Sequence, residues 1–339
     1  MRSNRRGSRL NQKILLVAHQ LDRSGAPIAL LNLALSLQKL GYITFIATLK
    51  NGPLGAEFLQ HGTKAFNPAL HTHLDFDLII SNTIVTLPWS LTFASSKTKV
   101  VGYIHESVEM LEFMGTTKAF LEAHKPDAAI FPAEFQLEQF SDLSIKESYV
   151  LPNTISNEFK MQESALTLVN RPFFVVVGPW HPRKGQKKLV ELTERYFLRP
   201  KIVFIGADPA YNEWKDQFIF TGEVSNDLSR SLISCSVGLL SFSSAEVQPI
   251  SVLESLQGST PCLLSDIPAH VELAKQTSMI RIFNETIDNS FLNGYQWLLE
   301  RSFADARKGS ATEGLPSKFT QTAYESKISA IVRSLFCNS

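Results

Sequence analysis

The feature that most constrains this 339-residue chain is a recurring unit: a strand-length apolar run that stops at a small or polar residue, followed by a segment of helical length. Lys13 to His19 is the first run. Ala26 to Lys39 then places Ile28, Leu31, Leu35 and Leu37 near helical spacing, and Gly41 supplies a stop signal. Tyr42 to Leu49 predicts a second strand, and Asp77 to Ser81, Val100 to His105 and Ala128 to Phe131 continue the series. The pattern restarts after Pro152. Phe173 to Val177 ends at Gly178, Ile202 to Ile205 at Gly206, Phe218 to Phe220 at Thr221-Gly222, and Val237 to Phe242 at Ser243-Ser244. Strands joined through helices pair in parallel and are covered on both faces. The expected fold is therefore α/β, with two doubly wound, Rossmann-like domains facing a cleft. The expected divisions are a basic leader over 1–12, a first domain over 13–155, a second over 156–316, and a C-terminal helix over 317–339 that packs back on the first domain.

A chain with 44% hydrophobic and 19% charged residues has enough apolar material for two cores. Lys plus Arg number 33 against 32 Asp plus Glu, a balance that leaves no electrostatic footprint for nucleic acid. The exception is local: Arg2, Arg5, Arg6, Arg9 and Lys13 carry positive charge with no acid among them. A disordered tail is the first expectation there, and weak attraction to an anionic membrane face the second. Ile14 to Ala18 is too short for a secretory h-region, and no segment approaches the ~20 apolar residues of a membrane span. Cys235, Cys262 and Cys337 have no paired spacing, so neither a disulfide framework nor a zinc knuckle is indicated and a cytoplasmic setting is expected. His71 and His73 stand two apart with no third ligand nearby, so no metal site is expected. The phosphate loop of kinases, the glycine fingerprint of nicotinamide dehydrogenases and the nucleophile elbow of α/β-hydrolases are all absent.

The most informative stretch runs from Ser236 to Glu272. Pro249 suits the start of a helix and not its interior, so Glu246 belongs to the preceding loop, while Glu254 lies about five residues in, roughly 7 Å along the axis at 1.5 Å per residue. Two carboxylates thus flank a helix N-terminus whose N–H groups at Ile250, Ser251 and Val252 predict a phosphate site. One ligand fits that order: a sugar at the loop acid, phosphates at the helix start, and ribose hydroxyls at the inner acid. A second stretch, Val175 to Gln186, reads as strand, tight loop, the basic pair Arg183-Lys184, Gly185 and a helix opened by Gln186. Lys184 there can neutralise a diphosphate leaving group.

These residues resemble glycosyltransferase family 4, the retaining nucleotide-sugar transferases of the GT-B fold, in order from about 13 to 336. Glu246 and Glu254 are similar to the family's E-x7-E pair, and Gly258-Ser259-Thr260-Pro261 with Ser265-Asp266 to its SGTP…SD continuation. Gly178 to Gly185 resembles its G-R-x4-K-G loop, Gly222-Glu223-Val224 its FxGxV strand end, and Pro152-Asn153-Thr154-Ile155 its interdomain link. Gly25 stands where the family has its first glycine-rich loop, and His105 where it has a strand-end histidine.

The resemblance implies a catalytic set of Glu246, Lys184 and His105. Glu246 would contact hydroxyls of the donor sugar, Lys184 the diphosphate, and His105 the sugar from the first, acceptor-side domain. It implies donor binding by Gly25, Gly178, Arg183, Glu223, Val224, Ile250, Ser251 and Glu254, with Glu254 on the ribose and the Glu223-Val224 backbone on the base. It further implies transfer with retention from a nucleotide-sugar to a glycan or lipid-linked acceptor. The setting would be bacterial surface polysaccharide synthesis at the inner face of the membrane, with no metal and no other cofactor. Two departures stand out. The family's usual Arg after the strand-end Gly is Pro179 here, with Arg183 as the candidate substitute, and Val247-Gln248-Pro249-Ile250 replaces the common Gly-Phe-Gly. The alternatives are a non-catalytic GT-B partner subunit and a nucleotide-sugar 2-epimerase.

Overall fold

The computed structural model describes residues 12–156, 160–168, 172–196, 198, 201–207, 217–287, 289–308 and 314–337. All of the expected basic leader but residue 12 lies outside them. The chain divides into two compact units, one running to Thr154 and completed by Gln321 onward, the other spanning Ile155–Thr320.

The first unit holds a parallel sheet of β1 (Lys13–Gln20), β2 (Ile43–Lys50), β3 (Lys64–Ala65), β4 (Leu78–Asn82), β5 (Lys99–Tyr103), β6 (Ala128–Phe131) and β7 (Glu147–Val150). Their spatial order is β3-β2-β1-β4-β5-β6-β7. β1 is central, in register with β2 from Lys13↔Ile43 and with β4 from Ile14↔Leu78. Its unbroken apolar run follows from burial on both faces. Ile14, Leu16 and Ala18 enter one core layer with the helix Gly25–Lys39, and Leu15 and Val17 enter the other with Phe45 and Phe76.

The first of those layers is closed by the last helix of the chain, Gln321–Cys337. Tyr324, Ile328, Ile331, Val332 and Leu335 are all buried there. Phe336 stacks on Tyr42 at 5.7 Å, and Lys39 pairs with Glu325 at 2.7 Å. The expected return of the C-terminal helix to the first domain is thus built from an apolar stripe at helical spacing.

The second unit holds β8 (Phe174–Val177), β9 (Ile202–Ile205), β10 (Ile219–Phe220), β11 (Gly238–Ser241), β12 (Cys262–Ser265) and β13 (Ile280–Phe283), all parallel in the order β10-β9-β8-β11-β12-β13. β3, β7, β12 and β13 went unrecognised in the sequence. β3 has two residues, while β7 and β13 are edge strands whose apolar residues are interrupted by Glu147 and Ser148 in one and Arg281 in the other. β12 is fully buried, but its sequence Cys262-Leu263-Leu264-Ser265 lacks the β-branched and aromatic residues that mark β8 and β9 as strands.

In both sheets the strand order reverses once, between β1 and β4 and between β8 and β11. Connections leave toward opposite sides at such a point, opening a crevice beyond the carboxyl ends of the strands where α/β proteins bind ligands.

Candidate functional site

In the second unit the loops after β8 and β11 meet at that reversal, and the residues that join them are charged. The β8 loop turns at Gly178 and makes a short 3₁₀ turn over Pro182–Lys184, capped by His181 Nδ1, which accepts from the Arg183 N–H at 3.1 Å. Gln186, buried at the head of the next helix, donates to the Pro179 carbonyl at 2.8 Å and accepts from the His181 N–H at 3.3 Å. Gly185 is required twice over: its φ is +66°, and a Cβ there would stand 2.2 Å from the Phe242 carbonyl oxygen. That approach brings the basic pair against the β11 loop.

Glu246 receives both cations on one oxygen. Lys184 Nζ lies 2.6 Å and Arg183 Nη1 3.2 Å from Oε1, and the Ser243 hydroxyl donates to the same atom at 2.9 Å. Arg183 also donates to the Ala245 carbonyl at 2.6 Å. Among the described residues Oε2 has no partner. Burial opposes the charge on Glu246, whose side chain is 11% exposed, yet Lys184 and Arg183 outweigh it and hold the carboxyl down to about 2. Arg183 is therefore no solvated surface residue but a second cation on Glu246.

The helix Ile250–Gln257 begins directly after Pro249. Of the three N–H groups expected to be open, Val252 is not, because it donates to the Pro249 carbonyl at 3.1 Å. The loop carbonyl folds over the first turn and takes it. Ile250 and Ser251 keep theirs free among the described residues.

Glu254 is the fifth residue of that helix and is buried. Asn226 Nδ2 donates to its Oε1 at 3.5 Å, and Arg230 Nε lies 4.0 Å from the same oxygen. Burial dominates and pushes Glu254 up to about 7, against the pull of Arg230 and Asn226. The sequence reading missed both partners, which sit four apart on the helix Asn226–Cys235 and carry no signal that separates them from a solvated face. Glu223 and Val224 follow β10 at the carboxyl edge of the same sheet, with Glu223 exposed. Among the described residues neither bonds to Glu246 or Lys184.

In the first unit a smaller cluster gathers at the reversal between β1 and β4. Asn82, at the end of β4, donates through Nδ2 to the Ala26 carbonyl at 3.2 Å, and its Oδ1 lies 3.0 Å from His105 Nε2. A carbonyl only accepts, so the Asn82 amide is oriented with Oδ1 toward His105 and the histidine proton is on Nε2. Burial, with Tyr103 packed at 4.1 Å, pushes His105 down to about 3, leaving it neutral with the Nδ1 lone pair an open acceptor among the described residues. Thr83 beside it holds φ +82°, a conformation a β-branched residue rarely adopts. The adjoining Ile84 N–H donates to the buried Glu106 carboxyl at 3.3 Å, and burial pushes that carboxyl up to about 7. Asn82 is the functional candidate the sequence reading overlooked. Gly25 opens the helix Gly25–Lys39, and a Cβ there would meet nothing within 4 Å, so sterics do not demand glycine.

Two doubly wound units with clusters at their strand-order reversals define the fold of the GT-B glycosyltransferases. Residues 10–152, most of the first unit, match the family model described as glycosyl-transferase family 4. Solved structures of similar fold include sucrose-phosphate synthase from Thermosynechococcus elongatus, 16% identical over 97% of this chain and 100% of that one, with a TM-score of 0.70. HepE from Anabaena in complex with UDP-glucose is 16% identical over 95% of this chain and 99% of that one, with a TM-score of 0.71. The lipopolysaccharide outer core galactosyltransferase WaaB is 15% identical over 95% and 99%, with a TM-score of 0.61. No curated protein sequence matches the chain. Among the described residues no group of three or more His, Cys, Asp or Glu side chains is placed to hold a metal ion, and no helix is long and apolar enough to cross a membrane.

Proposed function

We propose that this protein is a retaining glycosyltransferase that moves a sugar from a nucleotide diphosphate donor to a glycan or lipid-linked acceptor. The observation that carries the reading is the Glu246 carboxylate held by Lys184 at 2.6 Å and Arg183 at 3.2 Å across the β8–β11 crevice. One carboxylate oxygen is anchored by cations, and the other is left to accept from a sugar hydroxyl. The same cations stand where negative charge builds on a departing diphosphate. In the reaction the anomeric C–O bond to phosphate breaks and the leaving diphosphate takes the electron pair. The acceptor oxygen bonds to the anomeric carbon on the same face, and its proton passes to the departing phosphate. Lys184, Arg183 and the Ile250 and Ser251 N–H groups offset the leaving charge, so the reaction needs no metal ion. In the first unit His105 Nδ1 is an acceptor for a substrate hydroxyl, held in register by Asn82. An acceptor in bacterial surface polysaccharide synthesis, at the inner face of the membrane, is in keeping with the lipopolysaccharide role named for the similar fold of WaaB.

The test is sugar release or transfer from UDP-, GDP- and ADP-sugars, with and without chelator. One donor should be consumed, at a rate that chelator leaves unchanged. No turnover of any donor in the presence of mixed glycan acceptors sinks the reading, and a strict requirement for magnesium or manganese sinks its metal-free part.

Glu254 adds a pH signature. Its carboxylate form accepts from ribose hydroxyls and its protonated form does so less well, so affinity falls as pH drops through about 7. Between pH 8 and pH 6 the nucleotide diphosphate should bind up to about tenfold more weakly, one decade per unit below the carboxyl's value. Calorimetry on the Glu254→Gln variant should lose this excess slope. An unchanged slope would remove Glu254 from the nucleotide site.

A further inference from the structure

Behind Glu246 lies a chain of buried hydrogen bonds that the reaction as described does not use. His270, on the helix Pro268–Ala274, is fully buried. Its Nδ1 stands 2.9 Å from the Ser265 carbonyl oxygen and 3.3 Å from the Ser265 hydroxyl. The Ser265 hydroxyl donates to the Ser243 carbonyl at 2.6 Å, and the Ser243 hydroxyl donates to Glu246 Oε1 at 2.9 Å. The direction of every bond is fixed. A carbonyl only accepts, so the imidazole proton is on Nδ1; the Ser265 proton is committed to Ser243, so its oxygen is free to accept from the imidazole. Donors therefore run one way, from His270 through Ser265 and Ser243 to the carboxylate, across the end of β12 and the β11 loop. The ring is held on this side alone, because Nε2 is buried with no partner among the described residues. Ser243 and Ser265 are themselves 2% and 3% exposed, so water does not compete for these bonds.

We propose that His270 is a positioning residue for Glu246, acting through Ser265 and Ser243 to hold the acid-bearing loop so that Oε2 is presented to the donor sugar. The role rests on the glycosyltransferase reading above. It also explains Ser265, singled out in the sequence only as part of a motif, in physical terms, because its hydroxyl bridges one strand end to the next.

Two replacements of similar size separate positioning from core filling. His270→Leu fills the space and removes the donor, whereas His270→Asn keeps an N–H near the place of Nδ1. Filling favours Leu and hydrogen bonding favours Asn. With UDP-glucose and UDP as probes, His270→Leu should keep UDP affinity and lose UDP-glucose affinity and kcat by about 10- to 100-fold, the scale of a misplaced reacting group. His270→Asn should recover most of that loss. The double variant Ser265→Ala/His270→Leu should be no worse than the worse single one, since both break the same chain. Leu matching the wild type, or Asn no better than Leu, overturns the proposal. If His270→Leu does not fold, Ser265→Ala alone, which deletes one hydroxyl, should reproduce the loss, and wild-type behaviour there overturns it equally. If the wild type binds neither probe, the same variants are compared on the donor it consumes and on that donor's nucleotide diphosphate; a wild type that consumes no donor overturns the functional reading and leaves the chain to be judged by carbon-13 NMR of the Glu246 carboxyl. Ser265→Ala should shift that titration upward, and an unmoved carboxyl counts against the relay.

Discussion

Replacing Glu246 with alanine is expected to abolish transfer, by about 10³-fold or more, while the nucleotide diphosphate still binds, because in the proposed reaction the interaction removed is one made to the reacting sugar. The geometry sharpens this. Lys184 and Arg183 both spend charge on Glu246 Oε1, so deleting the carboxylate releases two cations toward phosphate. UDP affinity should hold or tighten while UDP-glucose gains nothing over UDP. Glu246→Gln, which keeps the shape and loses the charge, should behave the same way. Calorimetry beside a transfer assay checks it. A parallel loss of UDP affinity would place Glu246 on the nucleotide and not on the sugar.

Lys184→Ala should lower transfer by about 10²–10³-fold, the scale found when one preorganised group that stabilises developing charge is removed. It has a second, pH-dependent effect. With Lys184 present, Glu246 stays ionised down to about 2. Burial pulls the other way, and without the nearer cation Arg183, at 3.2 Å, is the main charge left to oppose it. The folded-state value then rises, so the acid limb of the rate profile should move to higher pH in the variant. Residual activity within about threefold of wild type, or an acid limb that does not move, would take Lys184 out of the site. Arg183→Ala should show the same trend more weakly, being farther from the carboxylate and tied to Ala245.

The parts of this architecture that were legible in the sequence are those governed by local rules. β1 and β9 announce themselves as unbroken apolar runs because they are buried on both faces, and Pro249 announces a helix start because its missing N–H is harmless there. Glu246, Lys184 and Glu254 could be singled out because proline and glycine fix their places relative to helix ends. What stayed hidden is long-range. Arg183 meets Glu246 from a distant part of the chain only because Gly185 lets one loop touch another, and nothing near Arg183 encodes that approach. Asn82, Arg230 and His270 are ordinary polar residues in their own segments, and their roles arise from partners 23, 24 and 5 positions away across strand ends and helices. The Val252 N–H looked open because spacing alone does not reveal where a loop carbonyl turns.

The return of Gln321–Cys337 to the first unit imposes an order on biosynthesis. Residues up to Thr154 leave the ribosome with one core layer incomplete, and Ala29, Leu33 and Leu37 wait for a cover that has not yet been translated. The intervening Ile155–Thr320 must emerge first, a delay of roughly ten to thirty seconds at ~5–20 residues per second. The second unit, contiguous in the chain, has no such dependence and is free to close as it appears. Maturation of the first unit is thus inverted relative to translation: the segment made earlier is finished later, once the helix Gln321–Cys337 has emerged to cover it.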